Sequence, residues 1–520
     1  MSRPPEAETP PAGQGDREPP QMSVGHAAIW AMASQYATFV IMFATSVIIS
    51  RYFLLPDEVG LFSIALAAAL LLAVLQDFGL TRYIAGLRVL DKDELSRCSS
   101  VAFLFSLIIA GLIALAAWPM ALLYGMPDLA PLLLIIAAGY FFIPFSVVPM
   151  AVMGRAMRFT GHFAVNVGSA ITHAIVAIVL AWQGFSAYSL AWATLCSYLA
   201  RAVIAQWLQP ARPFPMKLDG LKPIMGFGGK TSMLYIVGSL GSRTPDMIVG
   251  KIVGLTATGL FSRATSLAET FRLLIAGAIG SVFYPTFARI RDRGDPLGPA
   301  YLRVCAGYSV LVLPGMIALS LLAEPLVMVL YGEEWIATAP LLSMIAIQSG
   351  LMICLPLVSE LPILTGQINK LIVKNVIEAS TAIALLIAGS YLGGATGAAA
   401  SRVVYAFAFF FIYMNFICQV VGFKVGDWFS IMAKSSLVTL ATIAPIILAY
   451  AFWVGPEAMN FGQMLVVSIA GGLMWFVSLF AVRHPALQDM IATGLPILNR
   501  ILPFPVAVPR WLYPPIGDKA

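Results

Sequence analysis

Runs of about 20 apolar residues, the length that crosses a bilayer core as a helix, recur along almost all of this 520-residue chain and constrain its fold more than any other feature. The stretches 64–75 and 104–118 are unbroken and lack the polar–apolar alternation of a membrane β-strand. Because every backbone polar group in lipid must be paired internally, helices are the solution that remains. The sequence therefore predicts an all-α integral membrane protein.

The composition agrees with this class. Charged residues make up 11% of the chain and hydrophobic residues 60%, whereas a soluble domain carries about 25% charged residues because its surface faces water. The chain has 31 basic and 25 acidic residues, a net charge of +6, but the basic residues lie mostly in short loops. We therefore attribute this charge to membrane topology and expect no nucleic-acid partner.

About fourteen transmembrane helices are predicted from the apolar runs. They lie at residues 26–50, 59–80, 99–118, 129–151, 163–183, 186–208, 226–249, 257–283, 303–323, 337–360, 371–391, 394–418, 433–454 and 462–482. The predicted organisation is a disordered tail (1–24), an N-terminal lobe of six helices (25–208), a cytoplasmic linker (209–224), a C-terminal lobe of six helices (225–420), two extra helices (421–484) and a proline-rich cytoplasmic tail (485–520).

Lysine and arginine are concentrated in every second loop along the whole chain. The loops that follow even-numbered helices carry Arg82, Arg88, Lys92, Arg97, Arg155, Arg158, Arg212, Lys217, Lys222, Arg289, Arg291, Arg293, Lys370 and Lys424. The loops that follow odd-numbered helices carry only Arg51 and Lys251. Because cytoplasmic loops are the ones enriched in basic residues, both termini are predicted to be cytoplasmic, with Tyr124 and Trp335 in periplasmic loops.

Two motifs recur six helices apart. Gly-Leu-Phe-Ser near the start of the second predicted helix, at 60–63, returns near the start of the eighth, at 259–262. Leu-Tyr-Gly at 123–125 returns at 330–332, and each copy is followed by Pro-Leu-Leu at the start of the next helix. Two matches in the same order indicate a duplication. Since six is even, the halves share one orientation about an axis along the membrane normal, and substrate sites of such transporters lie between the halves.

Familiar site motifs are incomplete in this chain. Gly229-Lys230-Thr231 resembles the end of a phosphate-binding loop, but Ile224 stands where that loop needs glycine and no strand precedes it. The five cysteines and four histidines are too scattered to indicate a metal site or a disulfide framework. We expect no nucleotide, metal or other cofactor and no catalytic residue. His173, inside the fifth helix, is interpreted as a packed, hydrogen-bonded side chain.

Arginines inside the apolar spans are the candidate substrate-binding residues. Each charge costs about 2.5–3.5 kcal/mol at a helix centre, so it needs a partner or a water-filled cavity. Arg263 and Arg402 have no acidic residue three or four positions away, and we predict that they point into a cationic cavity between the lobes. Arg243 and Arg272 are second choices. The guanidinium group suits phosphate or carboxylate because it binds both with two parallel hydrogen bonds.

The acidic residues near or inside the spans are interpreted as ion-coupling residues or counter-ions. They are Asp77, Asp246, Glu269, Glu360 and Glu378. Arg243 with Asp246, and Glu269 with Arg272, are three residues apart, so each pair shares a helix face and can neutralise itself.

Several segments resemble a known transporter family and occur in that family's order. They are residues 51–62, Asp77-Phe78-Gly79-Leu80, residues 246–251, Gly254, residues 259–264, Val282-Phe283-Tyr284-Pro285, Ala323-Glu324-Pro325-Leu326, residues 331–335 and Ala339-Pro340-Leu341-Leu342. Over residues 36–413 the chain resembles the Wzx-type polysaccharide flippases of the multidrug/oligosaccharidyl-lipid/polysaccharide exporter superfamily. These positions are largely loop and packing residues, so they indicate the fold more specifically than the substrate.

The resemblance implies a twelve-helix core of two lobes with two added helices, located in the bacterial inner membrane. It implies a flippase that moves undecaprenyl-pyrophosphate-linked oligosaccharide by alternating access, for exopolysaccharide, capsule or O-antigen (lipopolysaccharide) synthesis. The polyprenyl tail would stay in membrane lipid, and a polysaccharide polymerase and glycosyltransferases are the implied pathway partners. This transport needs no covalent chemistry, so the chain is not expected to be an enzyme.

Other functions remain open on the sequence. A multidrug or cation antiporter of the same superfamily would favour an acid-lined cavity, which the excess of intramembrane arginine argues against. A membrane glycan polymerase or ligase usually needs a large periplasmic loop, and the longest predicted outer loops have about a dozen residues. A purely structural scaffold would not need the buried charges or the duplicated lobes.

Overall fold

A computed structural model describes residues 23–73, 79–87, 91–211, 216–217, 219 and 243–487 of the chain. Within these ranges the side chains of residues 24, 82, 92 and 276–285 are not described. Several predicted features lie outside the described residues. They are Asp77, Arg88, most of the predicted helix 226–249, the sequence Gly229-Lys230-Thr231 and nearly all of both tails.

All regular structure in the described residues is helical, which confirms the all-α class. The first half contains α1 (Val24–Tyr52), α2 (Pro56–Leu72), α3 (Leu80–Gly86), α4 (Lys92–Tyr124), α5 (Leu129–Tyr140), α6 (Pro144–Arg155), α7 (Phe159–Trp182) and α8 (Ala187–Leu208). The second half contains α9 (described over 243–252), α10 (Leu255–Asp292), α11 (Leu297–Leu321), α12 (Ala323–Leu330), α13 (Thr338–Met352), α14 (Glu360–Leu364), α15 (Ile368–Val421), α16 (Val425–Phe452) and α17 (Phe461–Ala481).

The chain is a multi-pass membrane protein. Seven described helices are long and apolar enough to cross a bilayer, and α5 with α6, bent by 45°, makes an eighth if the pair forms one span. One of the seven, α15, reverses direction at Gly393 and Gly394, where the backbone leaves helical geometry. The positive φ of Gly394, +57°, is a conformation that glycine adopts without a steric penalty. The predicted total of about fourteen helices stays a prediction.

Proline explains where the predicted helices break. The predicted helix 129–151 is interrupted between α5 and α6, where Pro144 has no N–H to continue the helical hydrogen bonds. The predicted helix 337–360 ends at Met352, three residues before the Leu355-Pro356 step, since a residue preceding proline disfavours helical geometry. The sequence placed Glu360 inside a long span, and this prediction is wrong. Glu360 is exposed at the start of the short helix α14.

The helices pack into two groups. The first bundle contains α1 to α8, and its core includes Ile64, Ile113 and Tyr140. The second bundle contains α9 to α15, with Trp335 and Tyr301 among its fully buried side chains. The two added helices pack beside the second bundle, since α16 contacts α11 and α17 contacts α16. The predicted lobe boundaries fall in the mostly undescribed segment 209–242, so those boundaries stay a prediction.

The two bundles meet where α2 crosses α10, and the duplicated motif forms this crossing. A side chain on Gly60 would collide with the backbone of Leu255, and one on Gly259 would collide with the backbone of Pro56. The hydroxyl of Ser63 donates a hydrogen bond of 3.0 Å to that of Ser262. Equivalent residues of the two repeats thus face each other, which is the arrangement that a two-fold axis between α2 and α10 produces. We name this end of the molecule, where α2 and α10 begin, the closed end.

Candidate functional site

A cavity of about 530 Å³ lies between the bundles, beyond the crossing of α2 and α10. Its walls come from α1, α2, α7 and α8 of the first bundle and from α10 and Tyr331 of the second. Leu66 and Leu70 on α2 line it opposite Ser266 and Thr270 on α10. The helices that touch at Gly60 therefore separate two to three turns later and leave space between them. We name this space the interbundle cavity.

Arg263 brings a charge into the interbundle cavity. It is half-buried on α10, one residue after the serine that contacts Ser63. One of its terminal nitrogens donates to the hydroxyl of Ser46 on α1 at 2.5 Å, and its guanidinium carbon lies 5.9 Å from the Trp335 ring centroid. Its Nε is buried and has no hydrogen-bond partner among the described residues. The guanidinium thus keeps donor capacity that an anion in this cavity could use.

His173 lies on α7 and also lines the interbundle cavity, a position that sequence reasoning missed. The sequence suggested a packed, hydrogen-bonded histidine. Instead, its Nδ1 is buried and has no partner among the described residues. A histidine at the middle of an apolar span was the available signal, but a single sequence does not show whether such a residue meets a partner on another helix. Ser46 and Trp335 contact Arg263, but nothing in the sequence marked them as residues of a site.

A second cavity has a volume of about 480 Å³, and the described residues that line it all belong to the second bundle. We name it the charged cavity, because Glu269, Arg272, Glu378 and Arg402 all line it. Arg272 and Glu269 form an ion pair on one face of α10, as their spacing predicted. Arg402 interacts electrostatically with Asp246, Glu269 and Glu378, and its guanidinium carbon lies 5.6 Å from the Tyr405 ring centroid. Arg263 and Arg402, expected in one cavity, therefore lie in two.

Glu378 is held by the hairpin of α15. The hydroxyl of Tyr405 donates to one carboxylate oxygen at 2.5 Å, and that of Tyr413 donates to the other at 2.6 Å. Tyr413 also donates to the side-chain oxygen of Asn375 at 2.7 Å. The two halves of α15 are thus joined through a half-buried acidic side chain whose two oxygens both accept hydrogen bonds, which compensates its partial loss of hydration.

The other candidate residues are dispersed. Arg243 is exposed on α9, and the half-buried Asp246 on the same helix interacts electrostatically with it, so this predicted pair is also brought together. Glu360 lies outside the lining of both cavities. Asp77 lies outside the described residues.

Residues 31–340, more than half of the chain, match the family model described as polysaccharide biosynthesis protein. The chain belongs to this family. It is 28% identical over 345 residues to the succinoglycan biosynthesis transport protein ExoT of Rhizobium meliloti, covering 65% of this chain and 68% of that protein. It is 20% identical over 356 residues to the lipopolysaccharide biosynthesis protein WzxC of Escherichia coli, covering 65% and 70%.

The fold of this polysaccharide biosynthesis protein is similar to that of the lipid II flippase MurJ in an inward closed conformation. The TM-score is 0.65 at 15% sequence identity, covering 87% of this chain and 97% of that chain. At this identity the likeness concerns the fold alone. The architecture is that of a membrane transporter, and the resemblance to polysaccharide flippases is confirmed at the level of the family.

In this polysaccharide biosynthesis protein we expect R402A to lower the amount of folded protein in the membrane. Arg402 is half-buried near Asp246, Glu269 and Glu378, and removing its charge leaves these acidic side chains less compensated. The double variant R402A/E378Q also removes one of the three nearby acidic charges and should recover part of the loss. Membrane abundance and thermal unfolding of the purified protein measure both effects, with R293A, an exposed loop arginine, as the control. Normal abundance of R402A would contradict a structural role for this arginine.

Proposed function

We propose that this protein is a flippase that moves an undecaprenyl-pyrophosphate-linked oligosaccharide across the bacterial inner membrane. The supporting observation is the interbundle cavity, where a guanidinium whose Nε–H has no partner in the described part of the chain stands between two bundles of a transporter fold. Membership of a polysaccharide biosynthesis family supports a glycan intermediate as the cargo. The names of the relatives favour a polymer outside the cell, such as exopolysaccharide or lipopolysaccharide.

The substrate has three chemically different parts, and each has a suitable place in this fold. The pyrophosphate would bind Arg263, because arginine stays protonated and replaces lost hydration with paired N–H donors. The glycan would occupy the interbundle cavity, where the hydroxyls of Ser46, Ser63 and Thr270 offer hydrogen bonds. The polyprenyl chain would remain in lipid beside the bundles. Rocking of the bundles would then expose the cavity to each side of the membrane in turn.

Orientation follows from the basic loops. We propose that both termini are cytoplasmic and that the closed end faces the periplasm. Arg289, Arg291 and Arg293 at the far end of α10 then lie in the cytoplasm, while α2 and α10 begin on the outer side. The cavity lies beyond the closed contact, so it would receive substrate from the cytoplasmic side.

Transport without covalent chemistry is the remaining part of the proposal. The charges inside the second bundle pair with one another, as Glu269 does with Arg272, which suits counter-ions better than catalytic acids. Asp246 and Glu378 remain the candidates for ion coupling. Glycosyltransferases and a polysaccharide polymerase are the proposed pathway partners. Glycosyltransferases must supply the lipid-linked glycan, and a polymerase must consume it.

Deleting the gene from its own organism tests this function. We expect the extracellular polymer to be lost while lipid-linked oligosaccharide accumulates on the cytoplasmic leaflet, and the wild-type gene should restore export. Unchanged polymer export after deletion would overturn the proposal. An altered sensitivity to cationic drugs with normal polymer would instead favour an antiporter.

A further inference from the structure

Two basic residues stand apart from the loop-charge pattern of the chain. Arg51 and Lys251 are the basic residues of the predicted periplasmic loops. Arg51 lies nine residues before Gly60 and Lys251 eight residues before Gly259, so they occupy nearly equivalent places in the two repeats. Both side chains are exposed at the closed end. The transport mechanism proposed above does not use either of them.

Arg51 connects the first bundle to the second. It lies in the last turn of α1, and its guanidinium donates hydrogen bonds to the backbone carbonyls of Met328, at 3.2 Å, and Val329. Both carbonyls belong to the last turn of α12, where helical C=O groups lack partners within the helix. A cation is stabilised there because the C-terminus of a helix carries partial negative charge.

Lys251 makes the reverse connection, from the second bundle to the first. Its ammonium donates a hydrogen bond to the backbone carbonyl of Leu123, in the last turn of α4. The same nitrogen lies 5.9 Å from the centroid of the Tyr124 ring. Each bundle therefore supplies one cation to a helix C-terminus of the other.

Two aromatic side chains reinforce the same boundary. The indole N–H of Trp335 in the second bundle donates to the carbonyl of Ser50 at 2.7 Å. The hydroxyl of Tyr124 in the first bundle donates to the carbonyl of Met247 at 2.9 Å. All four side chains thus bond across the boundary between the bundles, so separating the bundles at this end breaks every one of these bonds.

We propose that Arg51 and Lys251 form a paired latch that holds the periplasmic end closed while the interbundle cavity faces the cytoplasm. The inference rests on the proposed function for its direction, because only the proposed topology makes this end periplasmic. Both cations are exposed, so water can replace their carbonyl partners at little cost when the bundles separate. Such contacts favour the closed state without making it permanent, which suits a gate that opens once per cycle.

Thiol labelling from outside intact cells tests the latch. The reporter is S63C, which lies beneath the latch and is buried against Ser262. The reagent is a maleimide that does not cross the membrane, and the parent protein with its five free cysteines gives the background. In the reporter with an intact latch we expect little labelling, whereas R51Q/K251Q in the same reporter should raise the labelling rate several-fold.

The matched control removes an equivalent bond inside one bundle. Arg155 donates to the backbone carbonyl of Ile84 at 2.9 Å, and both residues belong to the first bundle. R155Q should therefore leave labelling of S63C unchanged, while R51K/K251R keeps both cations and should keep labelling low. The single variants R51Q and K251Q should each give an intermediate rate, and they decide the question if the double variant fails to accumulate.

Equal labelling of the reporter with and without the two glutamine substitutions would overturn the latch. The measurement needs no glycan and no pathway, so this failure is distinct from failure of the proposed flippase function. Strong labelling of the intact reporter would instead show that the closed end is open in cells, and would also reject the latch.

Discussion

Replacing Arg263 by alanine should abolish glycan export while leaving the amount of protein in the membrane close to that of the wild type. Among the described residues, Arg263 makes one hydrogen bond, to the hydroxyl of Ser46, and its Nε has no partner. Hydrogen bonds to charged groups contribute about 1.5–3 kcal/mol each. Losing two of them to a pyrophosphate corresponds to at least about a hundredfold loss of binding. R263K keeps the charge without the paired donors, so it should retain partial export.

The test of Arg263 compares export and membrane abundance in the same cells. R293A is the control, because Arg293 is exposed after α10 and far along the chain from the cavity. It should leave both quantities unchanged. Normal export by R263A would eliminate Arg263 as the pyrophosphate site, and a large fall in its abundance would assign the residue a structural role instead.

A disulfide between the two repeats should stop transport reversibly. The hydroxyl oxygens of Ser63 and Ser262 are 3.0 Å apart across the crossing of α2 and α10. Because the two side chains already point at each other, we expect cysteines at these positions to form a disulfide with small adjustments of the two backbones. In S63C/S262C, oxidation should therefore hold the closed end shut and block export, because the cavity could no longer open at that end.

The single variants S63C and S262C control for the substitutions themselves. Each should export normally under the same oxidant, and a reductant should restore export by the double variant. Cross-linking is followed by the change in mobility of the protein on a gel after cleavage in the 209–242 segment. Full export by a completely cross-linked double variant would contradict alternating access through this crossing.

Much of the fold is readable from apolar length and repetition. A run of about twenty apolar residues has few alternatives to a membrane helix, and most predicted spans match described helices. The repeated Gly-Leu-Phe-Ser motif has a structural role that the sequence did not predict. It predicted a duplication, and the structure shows that its glycines permit the close crossing of α2 and α10. Pro144 and Pro356 are visible in the sequence, but the prediction did not use them to shorten or divide the helices that contain them.

The site was less predictable because partners on other helices are invisible in one sequence. Local spacing found the pair of Glu269 and Arg272, which lies on one helix. The same criterion grouped Arg263 with Arg402, since neither has an acidic neighbour on its own helix. Packing separates them, because Arg402 lies in the electrostatic range of Glu378 and Asp246 on other helical segments, whereas the partners of Arg263 among the described residues are neutral. His173 is a similar case, because only the packing of the other helices shows that it lines a cavity.

The most direct measurement of the central claim is movement of the lipid-linked oligosaccharide by the purified protein in sealed vesicles. The substrate, an undecaprenyl-pyrophosphate carrying a short labelled glycan, is placed in both leaflets, and an enzyme that cannot enter the vesicle removes the exposed glycan. With the wild-type protein we expect almost all of the glycan to become accessible, whereas R263A and the oxidised S63C/S262C protein should leave about half protected. Protection of half of the glycan in wild-type vesicles, as in vesicles without protein, would contradict the assignment of this chain as a flippase.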